Sequence, residues 1–238
     1  MKALLYILGT LLIISLPLAW LFFNSHALSI DTVIINDHTD YFTVKPKADE
    51  IKNLYDFKNN IWDEANFRLI NITDININKT YQAKIESENY LLSNKFKRKE
   101  KIKAFLTDID KITVNSEKEK IGKDYSAIYE PIAKELNRLS QHKADKKYML
   151  IYGDLMQNTD EISFYDKNVF EKLKSNPDKI KQYFNSQVSL NNLGGIKIIL
   201  LFQPNNIKQD VEYKVVSEFY KKLFEEKGAK VEITANLN

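Results

Sequence analysis

The stretch "TVIINDHTDYF", Thr32 to Phe42, decides the fold. Strand-forming residues from Thr32 to Ile35 run without a break into Asn36, Asp37, His38, Thr39 and Asp40. β-Branched residues suit a pleated, packed surface, and a polar cluster of this kind ends one. A second stretch, "KYMLIYGDLMQNT" (147–159), has the same form, an apolar run that stops at Asp154. Its apolar core hardly alternates with polar residues, as expected of a strand buried on both faces in a helix-covered parallel sheet. The question is whether these two strand ends are separate turns or halves of one site.

Working outward, strand-like and helix-like segments alternate from Leu28 onward. "SIDTVIIND" (29–37) reads as the first strand. Lys45-Pro46 opens a helix, with Pro46 at a position where a missing N–H costs nothing. Ile51, Leu54, Tyr55, Ile61 and Trp62 recur along it at helical spacing. "FRLINIT" (67–73) and "TYQAKIE" (80–86) read as a hairpin. Helices follow at about 95–112 and 126–141, the second with Ile128, Ile132, Leu136 and Leu139 on one face. "KYMLIYG" (147–153) is the fourth strand, short helices fill 166–186, and "IKIILLF" (196–202) is the fifth strand. The helix from about 207 to 227 carries Val211, Val215, Val216, Phe219, Tyr220, Leu223 and Phe224 on one face, with Gly228 placed to end it. "AKVEIT" closes the chain as an edge strand. This alternation predicts an α/β domain over 28–238, a doubly wound, mostly parallel six-stranded sheet with helices on both faces.

Composition bounds the function. The chain has 238 residues, 44% of them hydrophobic, enough for one well-cored domain. With 35 basic against 32 acidic residues the charge is nearly balanced and says little about partners, and no nucleic-acid partner is expected of a domain read as exported. The absence of cysteine excludes disulfides, thiolate metal sites and cysteine catalysis. The run from Ala3 to Phe23 carries no charge. As a helix it spans about 30 Å, the thickness of a hydrocarbon core. Lys2 precedes it and the next basic residue is Lys45, so the positive-inside rule keeps the N-terminus cytoplasmic and exports the domain. Residues 1–27 read as a single-pass membrane anchor. The competing reading is a signal peptide cleaved near Ala27, and the apolar run is longer than the usual signal core.

In a doubly wound sheet ordered 3-2-1-4-5-6, ligands bind where the winding reverses, between the carboxyl ends of the first and fourth strands. Asp37 ends the first here and Asp154 the fourth, which makes them halves of one site. At this point the chain resembles a von Willebrand factor A-type domain, in a membrane-anchored bacterial form related to envelope and mobile-element proteins. Such domains hold a divalent ion at a metal-ion-dependent adhesion site built from D-x-S-x-S after the first strand, a Thr in a later loop, and an Asp after the fourth strand. The resemblance assigns Asp37 to the first Asp and Thr39 to the first Ser. Ser126, opening the helix in "KDYSAIYEPIAKEL", takes the place of the loop Thr, and Asp154 that of the late Asp. Tyr41 departs from the pattern at the second Ser, which makes the site degenerate, and Asp40 is the neighbouring substitute. The expected ion is Mg²⁺ or Mn²⁺, hard cations that take oxygen ligands and keep several waters. A rival motif, Asp74, Asn76 and Asn78 in "NITDININ", has the same spacing but follows the second strand.

The function this implies is an exported, membrane-tethered module that binds a protein partner. Two alternatives stand beside it. One is a metal-dependent, phosphohydrolase-like enzyme with Asp37 as nucleophile, which lacks the second carboxylate two residues on and a well-placed lysine. The other is a metal-free scaffold. No catalytic constellation is legible: His26, His38 and His142 are scattered, and no phosphate loop or G-x-S-x-G elbow occurs. "KFKRKEKIK" (95–103) reads as a solvated basic helix face, able to meet anionic headgroups or wall polymers.

Overall fold

The computed structural model describes residues 27–39, 42, 44–73, 78–120 and 125–237. The apolar run 3–23, Asp40, Tyr41, Asp74 and Asn76 lie outside the described residues. Among the described residues no helix is long and apolar enough to cross a membrane.

Six strands form one sheet: β1 (Ser29–Asp37), β2 (Glu64–Ile72), β3 (Lys79–Ile85), β4 (Lys146–Tyr152), β5 (Ile196–Leu201) and β6 (Lys230–Thr234). Their order is β3-β2-β1-β4-β5-β6. Every pairing is parallel except β2 with β3. The expected α/β sheet is therefore present, with its antiparallel hairpin, and the winding reverses between β1 and β4. The rival motif lies after β2, and its described member, Asn78, accepts a hydrogen bond from the Thr73 N–H at 3.2 Å.

Successive residues of the central strands feed two apolar layers, which is why their sequences lack alternation. On one face Val33, Ile35, Met149, Ile151 and Ile198 meet α3 (Tyr129–Gln141), α4 (Lys167–Ser175), α5 (Pro177–Gln187) and α6 (Ile207–Glu225). On the other Ile34, Phe67, Leu69, Leu150 and Ile199 meet α1 (Ala48–Lys52) and α2 (Lys95–Glu117). Gly228, at φ +94°, ends α6. Its N–H donates to the Glu225 carbonyl at 2.9 Å and the Ala229 N–H to the Phe224 carbonyl at 3.2 Å, the paired bonds of a Schellman turn.

Four local expectations are corrected. The helix expected from Lys45 through Trp62 lasts only from Ala48 to Lys52. The N–H groups of Asn59 and Asn60 donate to the Asp56 carbonyl and the Asn59 side chain bonds the Asp56 carboxylate, so a turn wins locally over the apolar periodicity. Ser126 does not open a helix, since α3 begins at Tyr129. Val211 is 52% exposed, because the first turns of α6 stand above the sheet's carboxyl end and border an open cleft. The basic helix face at 95–103 is not uniformly solvated. Arg98 is fully buried and donates to the carbonyls of Ile61, Asp63 and Glu86 at 2.6, 2.5 and 2.7 Å.

Candidate functional site

Asp37 is the last residue of β1, 5% exposed, with its side chain on the same face as Val33 and Ile35. The chain turns sharply after it. The Thr39 hydroxyl donates to Asp37 Oδ1 at 2.6 Å and the Thr39 N–H donates to the same oxygen at 3.1 Å. Thr39 Oγ1 also lies 3.5 Å from Ser126 Oγ, across 87 residues of chain. Three of the four expected residues are thus together: Asp37, Thr39 and Ser126.

The fourth arrives on the neighbouring loop. Gly153 follows β4 at φ +140°, and a Cβ built on it would sit 2.5 Å from Asp37 Cβ. Asp37 therefore packs directly on the backbone of the residue before Asp154, a space only glycine leaves open. Asp154 Oδ1 accepts from the Met156 N–H at 2.9 Å, and Leu155 takes φ 62°, the one positive φ at a non-glycine among the described residues. A buried leucine in the left-handed region is strained, and such strain is held only where the surroundings fix it. Burial, and after it the charges of Tyr129, Asp154 and Asp37, push the hydroxyl of Tyr220 well above its ordinary pKa. That hydroxyl is buried, and among the described residues no group hydrogen-bonds it.

The same loop supplies contacts that local sequence reading misses. Gln157 Oε1 accepts from the N–H groups of Ile128 and Tyr129 at 2.8 and 3.0 Å and so caps α3 from 28 or more residues downstream. Ser126 and Asn158 form an antiparallel bridge, with N–H to carbonyl distances of 2.8 and 2.9 Å. Ser126 is held by the loop that carries Asp154, not by the helix after it. His38, the histidine beside the site, points away, with Nε2 3.0 Å from the Glu119 carbonyl oxygen.

Beside Asp154 a cleft of about 240 Å³ opens toward α6, bordered by Tyr165, Phe202, Glu212 and Tyr213. Tyr165 is 63% exposed and its hydroxyl lies 3.5 Å from Asp154 Oδ2. Burial, with the charge of Asp154, pushes the Tyr213 phenol well up. Among the described residues no three His, Cys, Asp or Glu side chains cluster tightly enough to share a metal ion. An ion here would depend on two carboxylates, two hydroxyls and water, a donor set for a hard cation and not for zinc or copper.

No family model matches the chain, and no curated protein does. Among solved structures it is similar to a mutant of the PilB minor pilin from Streptococcus sanguinis, at 10% identity and a TM-score of 0.41. The match covers 88% of this chain, which spans 57% of that one.

Proposed function

We propose that the chain is an exported, membrane-tethered protein-binding module of von Willebrand factor A type. In this reading Asp37, Thr39, Ser126 and Asp154 hold a Mg²⁺ or Mn²⁺ ion, and residues 3–23 anchor the domain in a bacterial envelope. The observation that carries it is the convergence of the Asp37 carboxylate with the Thr39 and Ser126 hydroxyls, against the glycine that precedes Asp154. Hydroxyls and carboxylates at strand ends supply hard ligands without closing the coordination shell. The bound ion would offer a positive charge to a carboxylate on the partner protein. The cleft beside Asp154, walled by Tyr165, Phe202 and Tyr213, would take a neighbouring side chain of the same partner. Two carboxylates instead of a full ligand set make the affinity modest.

The test is thermal unfolding of the full chain in detergent, first with chelator and then with millimolar Mg²⁺ or Mn²⁺. An ion at ten times its Kd adds about 1.4 kcal/mol. For a chain this size that raises Tm by roughly 3–5 °C. Asp154→Ala should abolish the rise. An equal rise in wild type and variant places the ion elsewhere, and no rise in folded protein favours the metal-free scaffold.

A further inference from the structure

Eight large apolar side chains are strongly exposed among the described residues, and three of them lie within six positions: Leu91 at 56%, Leu92 at 89% and Phe96 at 72%. Leu91 and Leu92 lie in the turn that leads into α2, and Phe96 lies on the side of that helix turned from its buried residues Arg98, Ile102, Phe105 and Ile109. Lys95, Lys99 and Lys103 recur every fourth residue beside Phe96, all exposed, against a single exposed acid on these turns, Glu100. Apolar tips between long cationic side chains match a lipid–water interface, where the rings and alkyl groups enter the headgroup layer and the ammonium groups reach its phosphates.

The position of this patch in the fold is what identifies its occupant. The Leu28 N–H donates to Asp63 Oδ1 at 2.8 Å, and the Asp63 carbonyl accepts from Arg98 in the first turn of α2 at 2.5 Å. Residue 28 and the start of α2 therefore share one end of the domain. Four residues separate Leu28 from Phe23, the end of the apolar run, and the five steps between them reach at most about 18 Å. A domain tethered through 3–23 cannot lift this end far from the bilayer.

We infer that this end of the domain rests on an anionic lipid surface through Leu91, Leu92 and Phe96, with Lys95, Lys99 and Lys103 on the headgroups. The inference rests on the tether reading for the membrane being at hand. It also orients the molecule. β1 spans nine residues from Ser29 to Asp37, eight steps along a strand, so Asp37 lies about 26 Å farther out, and the candidate site faces away from the membrane.

The chain has no cysteine, so Leu92→Cys gives a single labelling site for an environment-sensitive fluorophore. Ile207→Cys, at an 84% exposed position following the carboxyl end of β5, is the control. The full chain is reconstituted into phosphatidylcholine vesicles with or without phosphatidylglycerol, and spin-labelled lipid is the quencher. Quenching at position 92 should exceed that at 207 at least about threefold in anionic vesicles, and Lys95→Glu with Lys99→Glu and Lys103→Glu should remove the difference. Alkaline carbonate extraction reads the tether separately. Release by carbonate, with quenching at neutral pH intact, rejects the tether and keeps the surface. A chain that resists carbonate while position 92 stays unquenched overturns the lipid surface. So does fluorescence that follows protein concentration and ignores lipid, which would assign the patch to a second copy of the chain. A chain that neither binds vesicles nor is quenched overturns both.

Discussion

Replacing Gly153 with alanine tests whether the candidate site is built by close packing of Asp37 on the loop after β4. Two costs can be worked from the structure. The backbone at φ +140° is one that L-residues rarely adopt, and holding a side chain there costs roughly 1–3 kcal/mol. The new methyl would also meet Asp37 Cβ at 2.5 Å, where ordinary contact begins near 3.4 Å. Forcing a methyl into a packed space costs about 1–3 kcal/mol more. A total near 4 kcal/mol lowers Tm by about 8–16 °C in a chain of this size. The assay is thermal unfolding followed by circular dichroism, for Gly153→Ala, Asp37→Gly and the double variant. Asp37→Gly removes the obstructing Cβ and leaves the backbone cost alone, so the cycle should give a coupling of about 1–3 kcal/mol. A drop in Tm below about 2 °C, or the same cost in both backgrounds, would refute the contact as the reason for this glycine.

Arg98→Ala would leave the carbonyls of Ile61, Asp63 and Glu86 buried without their donor, and should cost about 3–5 kcal/mol, whereas Lys97→Ala and Lys99→Ala on the same helix should stay within about 0.5 kcal/mol in denaturant unfolding. Arg98→Lys should not rescue, because an ammonium cannot reach three divergent carbonyls as a planar fork does. Burial pushes Glu119 up, but hydrogen bonds from Tyr81, Asn71 and Lys79 outweigh it and hold the carboxyl below its ordinary 4.5. A depressed carboxylate stabilises the fold above its unfolded pKa and loses that contribution as pH falls through the lower folded value. The Tm advantage of wild type over Glu119→Gln should therefore be full near neutrality and shrink below about pH 4.5.

The strands and most helices were legible because each is a local pattern with a strong period. The unbroken apolar runs in β4 and β5 reported burial on both faces, and residues Ile132, Leu136 and Leu139 of α3 fell where the 3.6-residue repeat put them. Legibility failed where a side chain answers to something distant. The segment after Lys52 keeps helical spacing in its apolar residues, yet Asp56, Asn59 and Asn60 fold it into turns that lower Tyr55 and Phe57 into the core. Arg98 looked like one cation among many in "KFKRKEKIK", and it is the arrival of residues 61, 63 and 86 around it, with the Glu88 carboxylate 3.6 Å away, that makes burial tolerable.

For the candidate site the same division has a structural cause. Asp37 and Asp154 could be paired from sequence because strand order alone brings the ends of β1 and β4 together. What fixes them relative to each other is the segment from Gly153 to Asn158, which combines local turns with contacts to remote parts of the chain. Gly153 receives Asp37, Gln157 caps α3, and Asn158 bridges Ser126, so one short loop sets the positions of residues from three parts of the chain. The strain at Leu155 sits in the middle of these contacts, where three attachments can hold it. A loop tied at so many points cannot move Asp154 without moving Ser126 and the start of α3. If an ion or partner engages Asp154, the response should therefore pass into α3 as a rigid shift, and hydrogen exchange at the Ile128 and Tyr129 amides is where it should first register.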